Sequence, residues 1–143
     1  VLEECDADKA IKEIVRVVKP GGPIGIIVRA IDMPQWFNLD ITGELKHKLN
    51  IPLQLKSTYG IADKSLYDQM RKNGLYESIN FPSMVAVPRT KNKNLFEWFL
   101  IRTRQTLNEY EKIELDDELK KISDKSNLIY SMPFHCSVGW KQY

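Results

Sequence analysis

The sequence predicts an α/β fold with a partial Rossmann-like, mixed sheet, its strands at about 23–30, 76–87 and 128–140 and its helices between them. Three observations lead there. An amphipathic helical pattern runs into Pro20-Gly21-Gly22 and then directly into the β-rich run Ile24-Gly25-Ile26-Ile27-Val28. Two later stretches of strand character are separated by helical patterns. No repeat, low-complexity tract or long linker interrupts the 143 residues, so 1–143 reads as a single domain.

The first helix is expected from about Asp8 to Val18. Ile11, Ile14, Val15 and Val18 recur at the spacing of one helical face. Asp6 and Asp8 offer capping oxygens and negative charge where the helix dipole favours them. Pro20 stops the helix, and Gly21-Gly22 allows a left-handed exit. Ile24–Val28 then reads as a strand buried on both faces, and helix, turn and strand together argue for a parallel sheet.

A short helix is expected from Thr42 to about Leu49, with Thr42 as N-cap and Pro52 beyond its end. Another is expected from Asp63 to Asn73, lined by Leu66, Tyr67 and Met70, with Gly74 just past its end. Tyr76–Val87 reads as a long strand, with Pro82 at a bulge or edge. Arg89–Asn94 reads as a polar loop, 94–110 as the longest helix and 115–122 as a short charged one. A strand over about 128–140, broken near Pro133, closes the chain.

Composition is that of an ordinary soluble protein, 43% hydrophobic and 28% charged, with a net charge of only +2. Such a balance, with signs alternating along the chain, argues against nucleic acid. No apolar run reaches the ~18 residues of a membrane span, and the N-terminus has no signal-peptide pattern. Two distant cysteines, Cys5 and Cys136, make no disulfide framework, so the expected location is the cytoplasm. Val1-Leu2 reads as the tail of an apolar strand, as though the sequence were cut at its N-terminus.

Two stretches carry a family resemblance. Val1-Leu2-Glu3-Glu4-Cys5-Asp6, followed by Ala10 to Gly22 with its Arg16-Val17-Val18-Lys19-Pro20-Gly21-Gly22 wording, is similar to a region of class I S-adenosylmethionine-dependent methyltransferases. There a crossover helix and a Lys-Pro-Gly-Gly turn feed the fifth strand. Ser131-Met132-Pro133-Phe134-His135-Cys136-Ser137-Val138-Gly139-Trp140-Lys141 resembles the closing strand of such enzymes, which runs antiparallel between the fifth and sixth strands. The middle, with Ile31–Trp36 and Ala62–Tyr67, looks like a bacterial subgroup acting on small molecules. The resemblance implies the C-terminal, substrate-side portion of a methyltransferase. The glycine-rich cofactor loop and the ribose-holding acid of the family are absent, so the chain alone is expected to be inactive and to bind S-adenosylmethionine poorly.

Candidate sites follow from that placement. Glu3, Glu4 and Cys5 would lie in a loop facing the cofactor, or serve as helix-capping and solvated groups. Arg29 and Asp32 follow the strand at 24–28 at its carboxyl end, where open α/β sheets bind ligands. Substrate contact and a local ion pair are the two readings. Trp36 and Phe37 would wall a substrate pocket or pack in a core. His135 is the further substrate-side candidate. No catalytic residue declares itself, and Asp32 and His135 are the two to test as a base. Cys136 and His135, adjacent in a strand, point to opposite faces and form no metal pair, so no metal site is expected. Tyr59 and Tyr67 would line the substrate side or pack at a rim, and His47 sits on a solvated face.

The rival reading is a non-catalytic module. Its strand at 24–28 would present an apolar edge to the missing N-terminal half or to a second copy. An α+β binding domain would be favoured by wholly antiparallel strands.

Overall fold

The computed structural model describes residues 1–51, 57–88, 93–122 and 128–143. Helix α1 spans Ala7–Val17. The Asp6 carboxylate accepts the Lys9 backbone N–H at 3.1 Å and so caps its start. At the far end Gly21 takes a φ of 73°, the left-handed turn that glycine tolerates. Its N–H donates to the Lys141 carbonyl at 2.9 Å, and Lys141 Nζ donates to the Val18 carbonyl at 2.9 Å. A cation thus sits where the helix dipole is negative.

The chain then enters β1, Pro23–Arg29. It pairs antiparallel with the last strand, β4 (Ile129–Lys141), in a register that sets Val28 opposite His135 and Ile27 opposite Cys136. A two-residue strand, β2 (Trp36–Phe37), pairs antiparallel with β4 at Ser131 and Tyr130. The long β3, Leu75–Pro88, also pairs with β4. Ser137 Oγ donates to Asn80 Oδ1 at 2.6 Å, so β3 runs beside the stretch of β4 that β1 also flanks. One strand edge serves one neighbour. β4 therefore lies between β1 and β3.

Two expectations are corrected here. The first helix, turn and strand argued for parallel pairing in a mixed sheet, yet both pairs of described register are antiparallel, the direction the resemblance implied for the closing strand. β1 was expected to be buried on both faces, but it alternates: Ile24, Ile26 and Val28 are buried and Ile27 is 69% exposed. The apolar run misled because a continuous β-branched stretch suits a half-buried strand as well. It is β4, in the middle, that buries both faces, including His135, Cys136 and Ser137 in sequence.

The remaining helices are α2 (Gly43–Asn50), α3 (Ser65–Lys72), α4 (Lys93–Arg104) and α5 (Glu109–Lys121). Thr42 takes the N-cap position of α2 without a side-chain cap; its N–H and hydroxyl go to Glu114 instead. Gly74, with φ of 80°, ends α3. The helix expected over 94–110 ends at Arg104. Asn108 starts α5 with a capping box: its side chain accepts the Glu111 N–H, and the Glu111 carboxylate accepts the Asn108 N–H. The expected charged helix at 115–122 is the C-terminal part of α5. Pro52 and much of the polar loop at 89–94 lie outside the described residues.

Read as one domain from the sequence, the chain divides into two compact units, Val1–Met33 with Gln54–Met84 and Pro133–Tyr143, and Pro34–Leu53 with Val85–Met132. The first has a core of Leu2, Ile11, Ile24, Ile26, Val28, Leu66 and Met70, among others. The second is centred on Phe37, Leu45, Leu49, Leu107, Leu115 and Tyr130. Within the second, Arg104 grips the Asp116 carboxylate, tying the end of α4 to α5.

Candidate functional site

The chemistry gathers in the first unit at the carboxyl end of β1. The loop leaving β1 is pinned by its backbone: Ala30 N–H donates to Pro133 O at 3.0 Å and Ile31 N–H to Ala62 O at 2.8 Å. That places Asp32 at the start of the α3 segment, where one carboxylate oxygen accepts the Lys64 N–H at 3.2 Å. The other oxygen lies 2.7 Å from His135 Nε2. His135 Nδ1 in turn lies 2.6 Å from the Tyr67 hydroxyl on α3, and the two rings meet edge to face with centroids 5.2 Å apart.

Donor counting constrains the proton positions in this chain of three for a neutral ring, the roles of its nitrogens depending on the tautomer. A carboxylate only accepts, so Nε2 carries the imidazole proton and donates it to Asp32. Nδ1 of a neutral ring is then the acceptor, and the Tyr67 hydroxyl donates to it. The His135 side chain is only 7% exposed, whereas that of Asp32 is 31% exposed and Tyr67 is half-buried. Burial, followed by the charges of Cys136 and Asp32, raises the Tyr67 pKa above its ordinary value, which keeps the phenol protonated. Burial likewise raises the Cys136 thiol. An acid, an imidazole and a hydroxyl joined in series form the general layout of a base oriented by a third group.

Arg29, at the end of β1, is held by Glu3: Nε and one terminal nitrogen reach the same carboxylate oxygen at 2.9 and 2.7 Å. Both side chains are mostly buried. The segment carrying Glu3 is stitched to the 57–61 turn. Ser57 N–H donates to Glu3 O at 2.7 Å, Ile61 N–H to Leu2 O at 3.0 Å and Ala7 N–H to Tyr59 O at 3.1 Å. Glu4 is exposed, and Cys5 is a free, half-buried thiol packed against the first core. The Glu3 carboxylate is thus engaged by a guanidinium.

Trp36 and Phe37 belong to the second unit. Trp36 is 42% exposed, and Phe37 is buried and stacked on Tyr130 with centroids 5.1 Å apart. His47 is exposed on α2. The structure thus joins Asp32 to His135 and Arg29 to Glu3. Tyr67, which its helical face marked for packing, also reaches His135. No spacing rule links residues 32, 67 and 135; only the strand register and the α3 phase do. Among the described residues there is no group of three or more His, Cys, Asp or Glu side chains that would hold a metal ion, and no helix long and apolar enough to cross a membrane.

Comparison with solved structures adds only distant likenesses, of which one is described. No family model matches the sequence, and no curated protein matches it. A solved structure of Haemonchus contortus phosphoethanolamine N-methyltransferase 2, in complex with phosphomonomethylethanolamine and S-adenosylhomocysteine, is similar at a TM-score of 0.36 and 16% identity. The match covers 96% of this chain and 30% of that one. A likeness at this level fixes neither the fold family nor the activity.

Proposed function

We propose that this chain supplies the acceptor side of a small-molecule methyltransferase that uses S-adenosylmethionine. The observation that carries the reading is the Asp32–His135 contact of 2.7 Å, set at the carboxyl end of the strand fed by the Lys-Pro-Gly-Gly turn. The order β1–β4–β3 supports it, since the resemblance expects the closing strand between its two predecessors. In this reading the cofactor is gripped by residues other than Glu3–Cys5, and the chain's own groups orient the acceptor, exclude water and hold its proton. S-adenosylmethionine brings its own activation as a sulfonium. The free thiols of Cys5 and Cys136 favour a reducing, cytoplasmic setting.

The test is methyl transfer from tritiated S-adenosylmethionine to a panel of small amines and alcohols, using the native polypeptide that carries this sequence. Asp32→Ala and His135→Ala are each expected to lower transfer at least tenfold, within the ~10²–10⁴-fold range of positioned acid–base groups. Transfer unchanged by both substitutions would remove the proposed site.

A second reading is favoured by one observation. Among the described residues β1 pairs with β4 and no other strand, and Ile27 on its outer face is 69% exposed. That edge would add a strand from a second copy of the chain. Gel filtration with multi-angle scattering separates the two: a dimer lost on Ile27→Lys supports edge pairing, and a monomer in both forms removes it.

A further inference from the structure

We propose that two copies of this chain join through the outer edge of β1, in the antiparallel register whose two-fold axis passes through Ile26. This seam rests on the edge-pairing reading and needs no methyl-transfer chemistry.

Bonds at the two ends of β1 set the direction of its backbone groups. At one end Lys141 N–H donates to Gly22 O at 3.0 Å, and at the other Ala30 N–H donates to Pro133 O at 3.0 Å. The register between them is unbroken, from Pro23 opposite Trp140 to Arg29 opposite Phe134. In an antiparallel ladder the groups of successive residues point to opposite sides. Ile24, Ile26 and Val28 therefore turn to β4, and Gly25 and Ile27 turn their N–H and C=O outward. Among the described residues no other strand pairs with β1 on that side.

The open stretch is bounded at both ends. Beyond Arg29 the outer edge is covered, because Ile31 N–H donates to Ala62 O at 2.8 Å. Before Pro23 the chain leaves the strand at Gly21, whose N–H returns to Lys141 O. The midpoint of Pro23–Arg29 is Ile26. Gly25 and Ile27 flank it symmetrically, and Pro23 has no N–H to give.

That symmetry selects a second copy as the partner. Turned about an axis at Ile26, the second copy sets its Ile27 opposite Gly25 and its Gly25 opposite Ile27. Each of these pairs exchanges both backbone bonds, so the outward groups of both residues are satisfied in both copies. An axis at Gly25 or Ile27 would push one end of the seam onto Gly21 or Ile31, both already bonded. The side chains agree. Gly25 and Ile27 share the exposed face of β1, and Ile27 is 69% exposed. Each Ile27 lies over Gly25 of the other copy, where a Cβ would meet only Val138, at 3.8 Å. No residue from Pro23 to Val28 is charged, so the axis brings no like charges together. β3 makes a poorer seam, since Pro82 interrupts it and Pro88 ends it. A seven-residue seam falls short of the ~1,000 Å² of a lasting interface, so the dimer is expected to dissociate on dilution.

The test is amide hydrogen exchange of the 143-residue chain, read by NMR across a dilution series sized in parallel by light scattering. Gly25 and Ile27 are expected to exchange at least tenfold more slowly in the dimer than in the monomer. Ile26 and Val28, already bonded to β4, are expected to change far less. Disulfide formation reads the register. The background is Cys5→Ser with Cys136→Ser, because Cys136 faces Ile27 within one chain. Gly25→Cys mixed with Ile27→Cys is expected to crosslink, since paired Cα atoms lie about 5.5 Å apart. Ile27→Cys alone is expected not to, because diagonal neighbours lie roughly 7–8 Å apart.

Protected Gly25 and Ile27 amides with crosslinking by Ile27→Cys alone would keep the edge-pairing reading and overturn this register. A dimer with both amides unprotected, or a monomer at every concentration, would overturn both.

Discussion

Gly60→Ala probes how firmly the Glu3 segment is seated. A Cβ built at Gly60 would lie 2.2 Å from the Glu3 carbonyl oxygen and 2.6 Å from its carbon. Both are backbone atoms, so no side chain can swing away. Restoring an ordinary contact needs a separation of about 3.4 Å or more, so the two segments must part by roughly 1 Å. That movement stretches Ser57 N–H to Glu3 O, now 2.7 Å, and Ile61 N–H to Leu2 O, now 3.0 Å. Two hydrogen bonds at about 0.5–1.5 kcal/mol each, with part of the Leu2 burial, make a loss of about 2–4 kcal/mol. The assay is urea unfolding followed by circular dichroism. With a slope of about 1–3 kcal/mol per molar urea, the midpoint is expected to fall by roughly 1–2 M. Gly43→Ala is the control: nothing lies within 4 Å of its Cβ, and no comparable loss is expected there. A Gly60→Ala change below about 0.5 kcal/mol, within the ordinary surface range, would refute the seating of residues 2–5 against 57–61. It would also loosen the case for the Glu3–Arg29 pair.

Three further outcomes are expected. Asn108→Ala removes the α5 capping box and is expected to cost about 1 kcal/mol, read as a lower urea midpoint; no change would mean that Asn108 does not cap α5. Tyr67 and Cys136 are both held above their ordinary values of 10.0 and 9.0 by burial. The stability tied to their neutral forms is therefore whole below the unfolded values and is lost as pH rises through the folded ones. The fall in midpoint between neutral and strongly alkaline pH is expected to be shallower in Cys136→Ala and in Tyr67→Phe; identical alkaline slopes in all three proteins would contradict it. Calorimetric titration of the chain alone with S-adenosylmethionine is expected to show no micromolar binding, since the sequence carries neither the family's glycine-rich loop nor its ribose-holding acid; micromolar affinity would contradict that expectation.

Local rules carried much of the fold. Apolar spacing located α1, α3 and the three long strands to within a residue or two, because each is bounded by a cap or a breaker such as Asp6, Gly21 or Gly74. The break between α4 and α5 went unread although Asn108 and Glu111 have a capping-box spacing. The direction of pairing was not legible from the strand run itself, although the family resemblance implied an antiparallel closing strand. Whether Ile24–Val28 has parallel or antiparallel neighbours depends on β4, more than a hundred residues later, and the run itself carries no mark of its partner. The site was legible as separate residues. Asp32 and His135 stood out by position and chemistry, but their contact spans 103 positions. Tyr67 was hidden by ambiguity: on an amphipathic helix face an aromatic ring packs whether or not its hydroxyl has a task.

The most direct test of an acceptor side at the end of β1 is amide chemical-shift mapping on the native polypeptide carrying this sequence, titrated with S-adenosylhomocysteine. The expected result is saturable shifts at Arg29–Asp32, with α5 unmoved. Saturable binding that leaves Arg29–Asp32 unmoved, or no binding at all, would contradict the placement of methyl-transfer chemistry beside Asp32 and His135.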